Sequence, residues 1–293
     1  MEIKSFQFQG YRGEYLFLPS RTMPEHSESI LFIGGAFQDI RASFKIGRDL
    51  ARNFNVIMVD LPGSGNADSL PHEVPFSFLS ESAADLCRLL DIERYHIIGC
   101  SYGSPVAYAL AQLFPERVAR MVLTGVMREI PSHTRSYILH SLELARNHSY
   151  DAFNDFVKDM FFNVDYEAQI PKQRDLRNKF HEALKSMSGS MVDKYIQNTL
   201  RLLKTRLSGQ PVVDSPILVM TGEWDSFTAP ADCAAFVALC PKGQYTSVLK
   251  YDHFFHVEQH HTTIALVRAF LLKEPWREIP GHGAHSVACE IQA

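Results

Sequence analysis

A single serine is bracketed by two glycines in Gly99-Cys100-Ser101-Tyr102-Gly103, and what flanks this stretch decides what the hydroxyl can do. Tyr95-His96-Ile97-Ile98 is a short apolar run that reads as a buried strand. From Pro105 to Phe114, Val106, Ala109, Leu110 and Leu113 recur at helical spacing. A G-x-S-x-G turn between strand and helix holds its serine in a strained conformation that only small neighbours tolerate, with the hydroxyl pushed out over the sheet edge. Five residues alone are a weak pattern. The strand before and the helix after carry the inference to a serine nucleophile.

Such a serine needs a base, and the base needs an acid to orient it. Pro216-Ile217-Leu218-Val219-Met220 reads as a late buried strand, and Thr221-Gly222-Glu223-Trp224-Asp225 leaves its C-terminal end. Asp225 is the preferred acid over Glu223, because Thr228-Ala229-Pro230 opens a helix and leaves Asp225 in the loop, free of capping duty. Tyr245 to Leu249 reads as the last strand, with His253 just past it and His256 as the rival among thirteen histidines. In these roles Ser101 attacks an acyl carbon, His253 takes and returns the proton, and Asp225 orients the imidazole and stabilises its cation. Two backbone donors must receive the oxyanion. Ile30-Leu31-Phe32-Ile33 is a clean strand followed by Gly34-Gly35-Ala36-Phe37, so the N–H groups of Ala36 and Tyr102 are the expected donors, with Gly35 and Phe37 beside them.

The elements that must position these groups alternate between strand and helix, with a helical interruption. Between about Met127 and Gly209 no strand is evident, and helical patterns follow one another there. This block reads as a cap over the site, in which Phe153, Phe156, Met160, Phe161 and Phe162 could wall an acyl channel; an aromatic stripe at helical spacing also suits plain core. Phe156 and Phe161 are the substrate-binding candidates. The expected division is 1–126 with 210–274 as an α/β core, 127–209 as the cap, and 275–293 as a loosely packed, polar, small-residued tail. Asp60-Leu61-Pro62-Gly63-Ser64-Gly65 lacks both the third glycine of a dinucleotide loop and the Gly-Lys pair of a P-loop, and reads as a tight loop at the site's mouth.

The chain resembles the α/β-hydrolases over almost its whole length: the Asp60–Gly65 loop, the Ser101 elbow with Phe114-Pro115-Glu116-Arg117-Val118 behind it, Asp225 after its strand and His253-Phe254 are typical of that superfamily, as is the chain order serine, acid, histidine. Gly34 stands where many members have histidine, and Asp252 where most have glycine. Phe54 to Pro62 and Gly222 to Thr228 are similar to the hydroxyacyl-transferring branch, which includes the synthase of the hydroxyalkanoyloxy-alkanoate lipid of rhamnolipids and the hydroxyacyl-carrier-protein:CoA transacylase. The resemblance implies a mostly parallel sheet with helices on both faces and an inserted helical cap. It also implies a 3-hydroxyacyl transferase acting on acyl groups carried by acyl carrier protein or CoA, with no cofactor. Hydrolysis of a lipid-like ester, thioester or lactone shares the same acyl-enzyme and remains the alternative. A non-catalytic binding protein on the same fold is a second class.

Composition bounds the rest. The 293 residues are 46% apolar, enough for a sizeable core, and the formal net charge of −4 argues against a nucleic-acid partner. No apolar run approaches the ~18 residues of a membrane span, and Met1-Glu2-Ile3-Lys4 lacks a signal-peptide core. Five cysteines, odd in number and unclustered, point to a reducing compartment, so the expectation is cytoplasmic. His256, Glu258, His260 and His261 lie close together, but Val257 stands where a zinc protease needs glutamate, so no metal is expected. Nothing in the sequence speaks to oligomeric state.

Overall fold

The computed structural model describes residues 2–207 and 215–287. Six parallel strands form its centre: β3 (Ser29–Ile33), β4 (Asn55–Asp60), β5 (Tyr95–Cys100), β6 (Val118–Thr124), β7 (Ile217–Gly222) and β8 (Gly243–Val248). The antiparallel strands β1 (Lys4–Phe8) and β2 (Tyr11–Leu18) extend one edge and β9 (His282–Val287) the other, in the spatial order β1-β2-β4-β3-β5-β6-β7-β8-β9. Every residue of β3, β5 and β7 is buried. That is why these strands read as unbroken apolar runs: a parallel sheet is covered on both faces.

Alternation along the strands divides the core in two. Leu31 and Ile33 of β3 face a cluster that includes Leu79 and Leu86 of α2 (Phe76–Leu89), Val106 and Leu110 of α3 (Gly103–Leu113), and Phe236 of α8 (Pro230–Val237). Ile30 and Phe32 face the opposite cluster, with Ile40 and Leu50 of α1 (Ile40–Leu50), Phe255 of the short α9 (Phe255–Glu258), and Leu266 and Phe270 of α10 (His260–Leu272). Asp39 starts α1 by accepting a hydrogen bond from the Ala42 N–H at 2.7 Å.

Between β6 and β7 the described chain forms four α-helices: α4 (Ser132–Arg146), α5 (Tyr150–Met160), α6 (Gln173–Lys185) and α7 (Gly189–Lys204). They share a third apolar cluster, which Phe227 joins and against which Phe37 and Phe254 pack. Residues 208 and 209 of the expected cap lie outside the described residues.

The expectation of a loose tail from 275 onward is corrected as far as residue 287. Trp276 is buried, its Nε1 donates to Gln244 Oε1 at 3.1 Å, and β9 pairs antiparallel with β8. An edge strand is held by its backbone ladder, so it needs no run of large apolar side chains, and His282-Gly283-Ala284-His285-Ser286-Val287 supplies none. Residues 288–293, with Cys289, lie outside the described residues.

Candidate active site

The turn after β5 is as tight as its sequence suggests. Ser101 has φ +46°, a left-handed conformation that costs a side-chain-bearing residue roughly 1–2 kcal/mol, and its N–H donates to the Thr124 carbonyl at 2.7 Å. The two glycines are steric necessities. A Cβ on Gly103 would stand 2.5 Å from the Ile33 carbonyl oxygen, and one on Gly99 would stand 2.8 Å from Ala107 Cβ. Ser104 locks the turn from behind, donating from Oγ to the carbonyls of Gly99 and Thr124. Cys100 is buried and burial pushes its thiol up to about 11, so it serves as a small packing residue.

Ser101, His253 and Asp225 come together. His253 Nε2 lies 3.2 Å from Ser101 Oγ, and its Nδ1 lies 2.8 Å from Asp225 Oδ2. Asp225 is not the N-cap of α8, yet it is not free either. Its Oδ1 accepts the backbone N–H groups of Phe227 and Thr228, and Oδ2 also accepts the hydroxyls of Thr228 at 2.6 Å and Thr221 at 3.2 Å. Burial opposes its charge, but His253 and these donors outweigh it and hold the carboxyl below its usual value. For His253, burial disfavours the imidazolium, while the Asp225 charge and hydrogen bond prevail and raise its pKa. Phe161 stacks on the imidazole, with centroids 5.2 Å apart and planes at 27°.

The rivals are engaged elsewhere. Glu223 is exposed and accepts the Lys250 N–H. His256 is buried, its Nε2 lies 2.7 Å from Gln38 Nε2, and burial with repulsion from His253 pushes its pKa down to about 3. His260 instead meets Asp49 at 2.8 Å, and among the described residues no three such side chains gather as a metal site.

Gly35 of the loop after β3 presses on the elbow: a Cβ there would stand 3.1 Å from the Cys100 carbonyl oxygen and 3.3 Å from Ser101 Cβ. Gln38 fixes that loop, its Oε1 accepting the Gly35 N–H at 3.0 Å. Phe37 sits at φ +60°. The N–H groups of Ala36 and Tyr102 have no partner among the described residues, which leaves both available to a ligand oxygen at the elbow.

A cavity of about 330 Å³ opens on Ser101 and Tyr102. Gly35, Ala36 and Phe37 line one side, the 63–66 loop its mouth, and Phe161, Phe180, Leu184, Met187 and Met191 its apolar wall. Phe156 is absent from it. That ring packs on Tyr137 and His140 across α4 and α5, because α5 turns Phe153, Val157 and Met160 inward and leaves position 156 off that stripe. The expectation for Phe156 is therefore corrected, while Phe161 lines the cavity and stacks on the His253 imidazole. A smaller space of about 50 Å³ also touches Ser101, beside Gly125 and Thr228.

Several residues here carried no readable signal. Asp252, buried, accepts from Gln173 Nε2 at 2.6 Å and from the Asn163 N–H at 3.1 Å, while Asn163 Nδ2 donates to the Trp224 carbonyl. The segment joining α5 to α6 is thereby tied to both the acid loop and the histidine loop. Thr228 could have been suspected, since a threonine three residues after an aspartate is well placed for its hydroxyl and N–H to reach that carboxylate.

Comparisons with known proteins agree with this fold. The sequence profile of the alpha/beta hydrolase fold matches residues 28–259. A poly(3-hydroxyalkanoate) depolymerase of Ectopseudomonas oleovorans is 21% identical, over 87% of this chain and 88% of its own. An (R)-3-hydroxydecanoyl-ACP:CoA transacylase of Pseudomonas aeruginosa is 22% identical, over 80% of this chain and 78% of its own. The crystal structure of the enol-lactonase of Burkholderia xenovorans LB400 superposes with a TM-score of 0.80 at 19% identity, covering 92% of this chain and all (100%) of that one. No helix among the described residues is long and apolar enough to cross a membrane. This chain is an enzyme of the α/β-hydrolase-fold family.

Proposed function

We propose that the protein transfers 3-hydroxyacyl groups through an acyl-enzyme on Ser101. The observation that carries the reading is the juxtaposition of the Ser101–His253–Asp225 chain with an aromatic- and methionine-walled cavity of about 330 Å³. That volume lies at the low end of the roughly 300–1,000 Å³ of small-molecule sites. His253 Nε2 takes the Ser101 proton as Oγ bonds to the acyl carbon, and the N–H groups of Ala36 and Tyr102 receive the oxyanion. Collapse breaks the bond to the carrier, and His253 returns the proton to the departing sulfur or oxygen. The acceptor's hydroxyl or thiol then repeats the sequence in reverse, restoring Ser101. The names of two relatives, the depolymerase and the transacylase, favour a 3-hydroxyacyl group, and that of the transacylase favours its carriage on acyl carrier protein or CoA. Cys87, Cys100, Cys233 and Cys240 carry free thiols, in keeping with a cytoplasmic place of action.

Hydrolysis is the second reading, and the small space beside Gly125 and Thr228 favours it. Its 50 Å³ is room enough for water next to Ser101. Product analysis with a medium-chain (R)-3-hydroxyacyl thioester, with and without an acceptor thiol or hydroxy acid, separates the two. New thioester or coupled ester supports transfer. Free hydroxy acid alone overturns it and leaves a thioesterase, esterase or lactonase. Labelling of Ser101 by a p-nitrophenyl phosphonate, with expulsion of p-nitrophenol, excludes a non-catalytic binding protein.

A further inference from the structure

Arg201, on α7, is 2% exposed and no carboxylate among the described residues pairs with it. A guanidinium survives burial without a counter-ion only if its donors are satisfied. All five are: Nε donates to the Val74 carbonyl, Nη2 to the carbonyls of Leu70 and Pro71, and Nη1 to Tyr102 Oη at 2.8 Å and Asn198 Oδ1 at 2.7 Å. Every acceptor is neutral, so the positive charge is spent on no partner. No N–H remains to bind a substrate.

The contact to Tyr102 gives that charge its address. Tyr102 follows the nucleophile directly, and its own hydroxyl donates to Asn198 Oδ1 at 3.1 Å, closing a triangle with Arg201. Asn198 Nδ2 in turn donates to the Gly63 carbonyl at the cavity mouth. Arg201 thus joins the inserted helices to Tyr102, which lines the cavity next to Ser101. It also sets a cation with no carboxylate partner on the phenol of the residue that follows Ser101. Dipoles and charges fixed before a reaction stabilise the charge that develops in it without reorganising.

We propose that Arg201 is a positioning residue for the acyl transfer, holding Tyr102 as an oxyanion donor and biasing the elbow toward the tetrahedral anion through its unpaired charge. This rests on the reading of Ser101 as nucleophile. The test compares Arg201→Met and Arg201→Lys with the wild type on a p-nitrophenyl ester. It measures kcat, KM, the thermal midpoint and the inhibition constant of phenylboronic acid, which bonds to Ser101 Oγ as a tetrahedral anion.

Losing a preorganised stabiliser of this kind lowers kcat by roughly 10²-fold. The Met variant should show that loss with KM changed less than about threefold, and boronate affinity should fall by a similar factor, since both read the tetrahedral state. The Lys variant, keeping charge but not the fork, should recover part of the boronate affinity. A folded Met variant with kcat within threefold of wild type overturns the inference. So does a loss of kcat with boronate affinity intact. If the Met variant does not fold, Tyr102→Phe, which removes only the hydroxyl between Arg201 and the elbow, must lower kcat and boronate affinity together; unchanged values overturn the inference. Failure of the wild type to bind boronate or accept the phosphonate would instead defeat the nucleophile assignment itself.

Discussion

Replacing Asp225 with asparagine tests the site at its best-defined point, because the two carboxylate oxygens have different obligations. Oδ1 accepts two backbone N–H groups, from Phe227 and Thr228, whereas Oδ2 faces His253 Nδ1 and the hydroxyls of Thr221 and Thr228. An amide has one oxygen to give. If its NH₂ took the Oδ1 place, two buried N–H donors would lose their acceptor at about 1–3 kcal/mol each, or about 2–6 kcal/mol together. The hydroxyls on the other side can rotate, so the amide oxygen is driven to the Oδ1 place and the NH₂ to His253. The imidazole must then accept at Nδ1 and carry its proton on Nε2, where it cannot take the Ser101 proton. Locking a base in the wrong tautomer lowers kcat by about 10⁴-fold, about 5.5 kcal/mol of barrier, in serine hydrolases of other folds. The assay is steady-state turnover of a chromogenic ester, with the His253 tautomer read from ¹⁵N shifts. Glu223→Gln is the control, expected to stay within threefold of wild type. An Asn variant within about tenfold of wild-type kcat, or an inactive one that keeps its proton on Nδ1, would refute this account.

In the proposed mechanism the working base is neutral His253, whose pKa is raised above 6.5, so activity should be lost as pH falls through an apparent pKa above that value, and His256→Ala should leave the midpoint in place; a midpoint that moves with His256 would reverse the assignment. Asp60 is buried, and burial pushes its carboxyl up from 3.8 to about 7, so its contribution to stability is full below 3.8 and lost as pH rises through 7. Asp60→Asn should therefore be more stable than wild type at pH 8, by at most about 4 kcal/mol, and nearly equal to it at pH 4, as read from urea midpoints; a difference independent of pH speaks against it. Phe161→Ser should shift products from coupled ester toward free hydroxy acid by opening the imidazole to water, while Phe156→Ser, outside the cavity, should not; equal effects would mean that both act only through stability.

The sheet and the meeting of Ser101, His253 and Asp225 were legible because both are written in local signals. Buried parallel strands such as Ile30–Ile33 and Ile217–Met220 are continuous apolar runs, and Gly99 and Gly103 mark a turn that no larger residue fits. What escaped depends on distant partners. The strand at His282–Val287 is held by backbone pairing, which leaves no imprint on side-chain type. Phe156 and Phe161 lie five residues apart and look alike in sequence; the register of α5 against its neighbours sends one outward and the other to His253. Arg201, at a helical position where arginine is ordinarily solvated, is buried because carbonyls 127 to 131 residues away converge on it. No spacing rule reaches that far.

The inserted helices leave the sheet after β6 and return to it at β7, and these strands are direct neighbours, Val122 opposite Leu218. An insertion with such closely set roots is a natural unit of exchange. A grafted set of helices would change the walls of the cavity while the elbow, the base and the acid stayed on the sheet. The roots are not the whole joint, however. Asp252 depends on Gln173 and the Asn163 N–H, and Tyr102 on Arg201 and Asn198. A graft without residues to replace Gln173, Arg201 and Asn198 leaves the buried Asp252 carboxyl and Tyr102 phenol without those partners. Substrate range in this scaffold can therefore be traded only among insertions that bring the same polar fasteners with them.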